Sequence, residues 1–271
     1  MIKLVALDMD GTLLDSKKQL PGDFIPWVKK HDELKIVIAS GRQYYTLEKD
    51  FETIRDELVF IADNGALVFA KGEIIYKDPM KKEAVKKSLD IVKQINTEYK
   101  EKTGDKEDLA YAIACGVKCA YYTTTDEEVK NNTFMYYVRK EWIESFDKLP
   151  DDDIVKVAIF FKGKQAEANL AKITALVEKE TVAPVLSGVS WIDIANAGIN
   201  KGSAVKQIQK TYGITAKESM AFGDYLNDYD LLAAVEESYA MANGHEKIKE
   251  MAKHQTASND EDGVMKILRN L

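Results

Sequence analysis

Three short aliphatic runs, each stopped by a polar turn that contains glycine, constrain this chain more than any other feature. Lys3–Leu7 reads KLVAL and runs into Asp8-Met9-Asp10-Gly11-Thr12. Lys35–Ala39 reads KIVIA and runs into Ser40-Gly41-Arg42, and Leu58–Ala62 reads LVFIA and runs into Asp63-Asn64-Gly65. A run with no polar alternation has no wet face, so each is expected to be a strand buried on both sides. Helix-length segments over 22–33 and 43–57 separate the runs. Strand and helix in alternation imply a parallel sheet with helices on both faces. In such sheets ligands bind beyond the carboxyl ends of the strands, and the polar triplets fall there.

Between residues 80 and 188 the pattern changes. Residues 81–102 form a charged amphipathic helix, with Val85, Leu89, Val92 and Ile95 at spacings of three and four. Strands are expected over 109–114, 118–123 and 154–161, a helix over 165–178, and a hairpin from 182–186 and 189–194 turning at Ser187-Gly188. After Asn200 the first pattern returns. It comprises a helix over 202–212, a strand over 219–222 ending in Gly223-Asp224, a helix over 227–235, a strand over 239–242, and helices over 245–253 and 262–268. The expected fold class is α/β. A Rossmann-like parallel-sheet core, residues 1–80 and 189–271, is interrupted after its third strand by an α+β domain over 81–188.

Composition enters through charge. The 38 basic and 45 acidic residues leave a formal net charge of -7, and no basic run supplies the clustered Lys and Arg that nucleic-acid backbones require. The apolar run before Asp8 is too short for a signal peptide, and no stretch approaches the roughly 20 apolar residues of a membrane span. A cytoplasmic protein is expected, with no nucleic-acid or membrane partner; the pattern fixes no oligomeric state. Cys115 and Cys119 lack CxxC spacing and a nearby His, so they read as small apolar residues. His31, His245 and His254 lie in charged helical contexts and read as solvated surface.

The candidate chemistry lies after the core strands. Asp8 and Asp10 follow the first, Ser40 the second, and Asp224, Asn227 and Asp228 the strand over 219–222; Lys201, in INKGS, is likewise expected just after a core strand. Alone, Ser40 and Thr12 read as helix caps, Lys201 as a surface lysine, and Asn227-Asp228 as a helix start. Together they suit phosphate-ester hydrolysis, in which nucleophile and phosphoryl oxygens repel and catalysis rests on positioning and charge neutralisation. Magnesium takes one or two carboxylates, water and a phosphate oxygen, and Asp8 and Asp224 are positioned to supply the carboxylates. Lys201 adds positive charge, and Ser40 with the backbone N–H groups near Met9, Gly11 and Gly41 can cradle phosphate oxygens. A carboxylate held in line forms an acyl phosphate. A second one, two residues on, can protonate the leaving oxygen and then activate water.

DMDGT at 8–12, ASGR at 39–42, Lys201 in NKGSAV and GDYLND at 223–228 jointly resemble the haloacid dehalogenase superfamily of phosphatases. The insert resembles the large α/β cap of the Cof-type (IIB) branch in length and pattern. Asp63-Asn64-Gly65-Ala66, Met241-Ala242-Asn243-Gly244 and the segment Ser258 to Val264 look like loops of that branch. The resemblance implies a nucleophile and magnesium ligand at Asp8, and a general acid/base at Asp10 with its carbonyl on the Mg2+. It implies a second carboxylate ligand at Asp224 and a direct or water-mediated supporting acid at Asp228. Ser40 and Lys201 would hold the transferring phosphoryl group, with Asn227 orienting it or Lys201. Gly41 and Arg42 join the phosphate-binding set, and Asn64 is site-facing. The cap would close over the core and choose the substrate, a small phosphorylated metabolite, with sugar phosphates favoured. Two alternatives stand beside this reading. A sugar phosphomutase is expected to carry a cluster of cap arginines, and the insert has Arg139 alone. A ligand-binding regulator with a dead site is expected to lack Asp8, Asp10 or Asp224, and all three are present. Asp193, where relatives often carry Glu, is expected at the second hinge. The aromatic group Tyr121, Tyr122, Phe134, Tyr136, Tyr137, Trp142 and Trp191 is expected mainly to pack the cap sheet.

Overall fold

The structure is a computed structural model that describes residues 1–178 and 180–271. In chain order the first strands are β1 (Leu4–Asp8), β2 (Lys35–Ala39), β3 (Leu58–Ala62), β4 (Leu67–Ala70) and β5 (Glu73–Lys77). There follow β6 (Ala110–Gly116), β7 (Ala120–Tyr122), β8 (Lys140–Trp142), β9 (Ile154–Phe161), β10 (Val182–Gly188) and β11 (Trp191–Asn196). The last are β12 (Ser219–Gly223), β13 (Glu237–Met241) and β14 (His254–Thr256). The α-helices are α1 (Phe24–Lys30), α2 (Tyr44–Asp50), α3 (Lys82–Thr103), α4 (Glu127–Thr133), α5 (Ala166–Leu176), α6 (Lys201–Tyr212), α7 (Tyr229–Ala233), α8 (Glu246–Met251) and α9 (Gly263–Leu268). None of the described helices is long and apolar enough to cross a membrane.

Two compact units result: Met1–Tyr76 with Ile199–Leu271, and Lys77–Gly198. The first holds a sheet in the order β14-β13-β12-β1-β2-β3-β4-β5. It is parallel from β14 to β3 and turns antiparallel at β4. Every residue of β1, β3 and β12 is buried, as the unbroken aliphatic runs require. One face of the sheet (Leu4, Ala6, Val37, Ala39 and Ile61) packs on Ala204, Val205 and Ile208 of α6 and on Leu231 and Leu232 of α7. On the other, Phe51 packs edge to face on Phe24 and tilts against Phe60, and the Trp27 indole N–H donates to the Leu268 carbonyl at 3.1 Å. Each such buried aliphatic or aromatic side chain contributes about 1.5–3 kcal/mol. The chain runs outward from β1 in both directions, to β2 and β3 on one side and to β12 and β13 on the other. The carboxyl end of β1 is therefore the topological switch point at which open α/β sheets bind ligands.

The second unit is a sheet in the order β10-β11-β9-β6-β7-β8, antiparallel except between β7 and β8. Val85, Leu89, Val92 and Ile95 form the buried stripe of α3. Gly104 stops that helix in the left-handed region at φ 74°, with its N–H on the Lys100 carbonyl.

Two expectations shift. The insert follows a fifth strand, not the third, because Leu67–Ala70 folds back antiparallel on β3 and β5 continues the edge; short runs joined by Lys71-Gly72 carry little period to mark them. The return to the first unit comes at Ile199, ten residues after the expected 189, because β11 is interior to the second sheet, between β10 and β9. Asp193 accordingly pairs with Ala158 of β9 and makes a buried ion pair with Lys156 at 3.4 Å, rather than sitting in a hinge. Tyr121 and Tyr137 are buried as expected, whereas Trp142 is half exposed. The three histidines are half buried: His31 stacks on Trp27, His245 lies edge-on to Tyr225, and His254 contacts Glu237 at 2.7 Å. Cys115 is buried and Cys119 half buried, and neither forms a disulfide among the described residues.

Candidate active site

Parallel register lines up the strand ends. Asp8 of β1 lies opposite Ala39 of β2, and Leu7 opposite Phe222 of β12, so Asp8, Ser40 and Asp224 leave adjacent strands at one edge. After Asp8 the chain turns back on itself, with Leu13 N–H on the Asp8 carbonyl at 3.2 Å and Leu14 N–H on Met9 at 2.9 Å. Gly11 permits that turn in two ways. Its φ is +89°, and a Cβ there would stand 2.3 Å from Asp224 Oδ2, so the backbone and the Asp224 carboxylate touch only without a side chain. Lys201 is placed by the cap of α6. Asn200 accepts from Ser203 N–H at 2.8 Å and donates its own N–H to Ser203 Oγ at 3.0 Å. Gly65, at φ +108°, lets the Asp63-Asn64-Gly65 turn meet the Asn200 carbonyl, which a Cβ would approach to 2.2 Å.

These elements bring four charged groups together. Lys201 Nζ, fully buried, donates to Asp8 Oδ1 and to Asp228 Oδ1, each at 2.6 Å. The other Asp228 oxygen accepts the N–H groups of Asp224 and Tyr225 at 3.0 and 3.1 Å, which fixes the start of the GDYLND turn. Asp224 Oδ1 accepts from Thr12 Oγ1 at 3.1 Å. Three carboxylates thus face one ammonium. Burial, then the Asp228 charge, push the Asp8 carboxyl up to about 6 against the pull of Lys201. Burial and the charges of Asp8 and Asp228 push Asp224 up to about 9. Burial opposes the charge on Lys201, but Asp228 and Asp8 outweigh it and hold the ammonium above the usual lysine range.

The cluster lacks positive charge, and its donors fit a cation. One carboxylate oxygen each from Asp8, Asp224 and Asp228 lie within 4.8 Å of one another. Asp8 Oδ2 is buried with no hydrogen-bond partner among the described residues, a costly state for a charged group. An all-oxygen set of this kind suits a hard divalent ion.

Asp10 stands beside this cluster. Arg42 grips it through Nε at 2.8 Å and Nη2 at 2.6 Å, and Lys18 adds a contact at 2.7 Å. Burial raises its pKa, but Arg42 and Lys18 outweigh burial and hold it below the usual carboxylate range. Ser40 is buried; its hydroxyl accepts from Arg42 N–H at 3.1 Å and its carbonyl from Asn64 N–H at 3.0 Å. A Cβ on Gly41 would stand 3.1 Å from the Asn64 amide, and Asn227 Nδ2 donates to Asn64 Oδ1 at 3.1 Å. Ser40, Gly41, Asn64 and Asn227 are therefore neighbours, as the sequence reading requires. The Arg42 guanidinium, expected among the phosphate-binding groups, turns to the carboxylates of Asp10 and, at 2.9 Å, Asp50.

A family model described as haloacid dehalogenase-like hydrolase matches residues 5–268. The chain belongs to the haloacid dehalogenase-like hydrolase family. Over 98% of its length, and 95% of the relative's, this hydrolase is 31% identical to the 5-amino-6-(5-phospho-D-ribitylamino)uracil phosphatase YbjI of Escherichia coli strain K12. Its structure is similar to SMU.1108c from Streptococcus mutans UA159, with a TM-score of 0.87 at 28% identity, covering 100% of this chain and 98% of that one. It is also similar to the HAD subclass IIB sugar phosphatase BT4131, with a TM-score of 0.77 at 25% identity, covering 99% and 98%. The hydrolase is an enzyme of the phosphoric monoester class, matched to phosphatases along its whole length.

Several residues around the site escape sequence reading. Thr12, read as a cap, bonds Asp224. Lys18 lies in the charged stretch Ser16-Lys17-Lys18-Gln19, where nothing separates it from a solvated lysine. In this hydrolase Asn243 Nδ2 donates to the Gly11 carbonyl at 2.8 Å, and Asn259 Nδ2 to the Leu14 carbonyl at 2.9 Å. The signal for these two was the resemblance of their loops to the family, which carried no role for either.

Proposed function

We propose that this hydrolase is a magnesium-dependent phosphatase that passes the phosphoryl group of small metabolites through Asp8. Asp8, Asp224 and Asp228, with the Asp10 carbonyl, would hold the ion, which supplies the positive charge that lets a carboxylate approach a phosphoryl group. The observation that carries the reading is the under-neutralised cluster, in which Asp8 has one oxygen fixed by Lys201 and the other buried without a hydrogen-bond partner among the described residues.

The chain's own residues then have separate tasks. Lys201 orients Asp8 and lowers the repulsion that a nucleophilic carboxylate meets. An Asp8 oxygen forms the bond to phosphorus while the ester P–O bond breaks, and Asp10, protonated in the substrate complex although Arg42 and Lys18 favour its ionised form in the free enzyme, gives the leaving oxygen its proton. Water then attacks the phosphorus of the phosphoaspartate, Asp10 takes the proton, and inorganic phosphate leaves. Ser40 and the backbone N–H groups near Met9, Gly11 and Gly41 cradle phosphoryl oxygens, and Asn227 steadies Asn64. Arg42 acts from behind, on Asp10.

The favoured substrates carry the phosphate on a polyhydroxylated carbon chain, a sugar or polyol phosphate. Two similar proteins support that choice: one is named for a phosphorylated ribityl compound and another as a sugar phosphatase. Substrate choice is assigned to the unit Lys77–Gly198. The test is p-nitrophenyl phosphate with and without magnesium, followed by a screen of sugar phosphates, flavin mononucleotide, pyridoxal phosphate and nucleotides. Turnover that depends on the metal and is greatest on sugar or polyol phosphates is expected. No turnover by folded protein with metal, or full turnover in EDTA, would overturn the proposal.

A further inference from the structure

We infer that Lys18 is a positioning residue for the acid/base Asp10, presented by a clamped loop that the C-terminal segment holds in place. The inference rests on the assignment of Asp10 made above. A carboxylate that serves both as acid and as base must keep its orientation through two steps, and one contact leaves it free to swing. Here both oxygens are held. Arg42 takes Oδ2 through Nε and Oδ1 through Nη2, and Lys18 Nζ closes on Oδ1 from a different segment at 2.7 Å. Arg42 is itself fixed by Asp50, so the guanidinium cannot follow a moving Asp10.

The loop that carries Lys18 is held more firmly than a surface lysine needs. Lys18 has φ +63°, a left-handed conformation that costs a side-chain-bearing residue about 1–2 kcal/mol. Asp15 holds it there: its Oδ1 accepts the N–H groups of Lys17 and Gln19 at 2.9 and 2.8 Å, and its carbonyl accepts Lys18 N–H at 2.9 Å. From the far end of the chain, Asp260 accepts Ser16 N–H and Ser16 Oγ, both at 2.7 Å. Asn259, next to it, ties the Leu14 carbonyl and receives its own support from Asn243 at 3.1 Å. Strain at one residue, fixed from two sides and aimed at a mechanistic carboxylate, is a functional arrangement rather than a turn filler. Asp260 thus acts on Asp10 at two removes, through Ser16 and Lys18.

The experiment compares Lys18→Met, Lys18→Arg, Asp260→Ala and Asp10→Asn with the parent enzyme, on p-nitrophenyl phosphate and on phenyl phosphate, whose leaving group is much more basic and depends more on protonation. The Lys18 side chain is 43% exposed, so its variants fold; a thermal melt checks this. For Lys18→Met the expected result is roughly a tenfold lower kcat on phenyl phosphate, a smaller loss on p-nitrophenyl phosphate and KM within about twofold. Lys18→Arg recovers most of the rate, and Asp260→Ala shows the same leaving-group pattern more weakly. Equal losses on both substrates, no loss, or a rise in KM at constant kcat would each overturn the inference, the last by making Lys18 a substrate contact. Failure of the underlying reading looks different: Asp10→Asn itself would then keep near-parent rates on phenyl phosphate.

Discussion

Replacing Lys201 with Met removes the one ammonium that the buried carboxylates share and leaves the side-chain volume nearly unchanged. Both of its hydrogen bonds are 2.6 Å long and fully buried. Charge-assisted bonds of this kind contribute about 1.5–3 kcal/mol each, and removing one partner of a buried ion pair costs about 3–5 kcal/mol. In metal-free protein the expected loss is therefore about 3–5 kcal/mol at neutral to alkaline pH. It is smaller in acid, because protons can replace the lost cation. Asp8 is already raised to about 6 and Asp224 to about 9, and both rise further without Lys201. A carboxylate whose folded pKa exceeds its unfolded value favours the folded state at low pH, and that contribution is lost as pH climbs through the folded pKa. The assay is urea unfolding in EDTA at about pH 5 and about pH 8, with Trp142 and Trp191 replaced by Phe so that buried Trp27 reports the first unit. A loss under about 1 kcal/mol at the higher pH, or a larger loss in acid, would refute the reasoning, because it would mean that the carboxylates do not depend on Lys201.

Magnesium binding should release protons and tighten as pH rises from about 6 to 8, since Asp8 and Asp224 must give up protons held by burial and mutual repulsion. Calorimetry in two buffers of different ionisation enthalpy measures this, and identical heats in both would count against the assigned ligands. Gly11→Ala should lower magnesium affinity and kcat by about tenfold or more, because a Cβ at φ +89° displaces the Asp224 carboxylate it would meet at 2.3 Å. A variant with unchanged metal titration and rate would show that the turn and Asp224 are independent. Gly65→Ala, pressed on the Asn200 carbonyl at 2.2 Å, should destabilise the first unit by about 2 kcal/mol or more through φ strain and the clash. Equilibrium unfolding checks it, and an unchanged midpoint would remove the turn from the set of elements that place Lys201.

The first unit was legible because β1, β2 and β3 are unbroken aliphatic runs alternating with helix-length segments, a pattern that suits a parallel sheet covered on both faces. β1, β2 and β3 begin and end within a residue of their expected bounds. The hairpin β4–β5 was not legible. Its edge strand Glu73–Lys77 is mostly exposed, so solvent rather than a core fixes its side chains and no period survives. β11 was expected as a strand of the hairpin and pairs with β10 as such; the domain bound drawn at 189 fell early because the strand's interior place in the second sheet is set by β9, a partner about thirty residues away in sequence. Asp8, Lys201, Asp224 and Asp228, the four charged residues that the sequence reading singled out, lie together at the carboxyl edge of the first sheet, because each stands at the end of a strand or the start of a helix there. Arg42, expected on phosphate, contacts the carboxylates of Asp10 and Asp50, since sequence shows that a guanidinium is present and not which carboxylates surround it. Asp8 is 6% exposed, and Asp8→Asn should spare stability through relief of repulsion among the buried carboxylates.

Rapid acid quench of the enzyme during turnover of p-nitrophenyl phosphate, followed by peptide mass spectrometry, tests the central claim most directly. One phosphoryl group on the peptide that contains Asp8, absent in Asp8→Asn together with turnover, is the predicted result. Sustained turnover by Asp8→Asn, or a phosphoryl group trapped on another side chain, would contradict it.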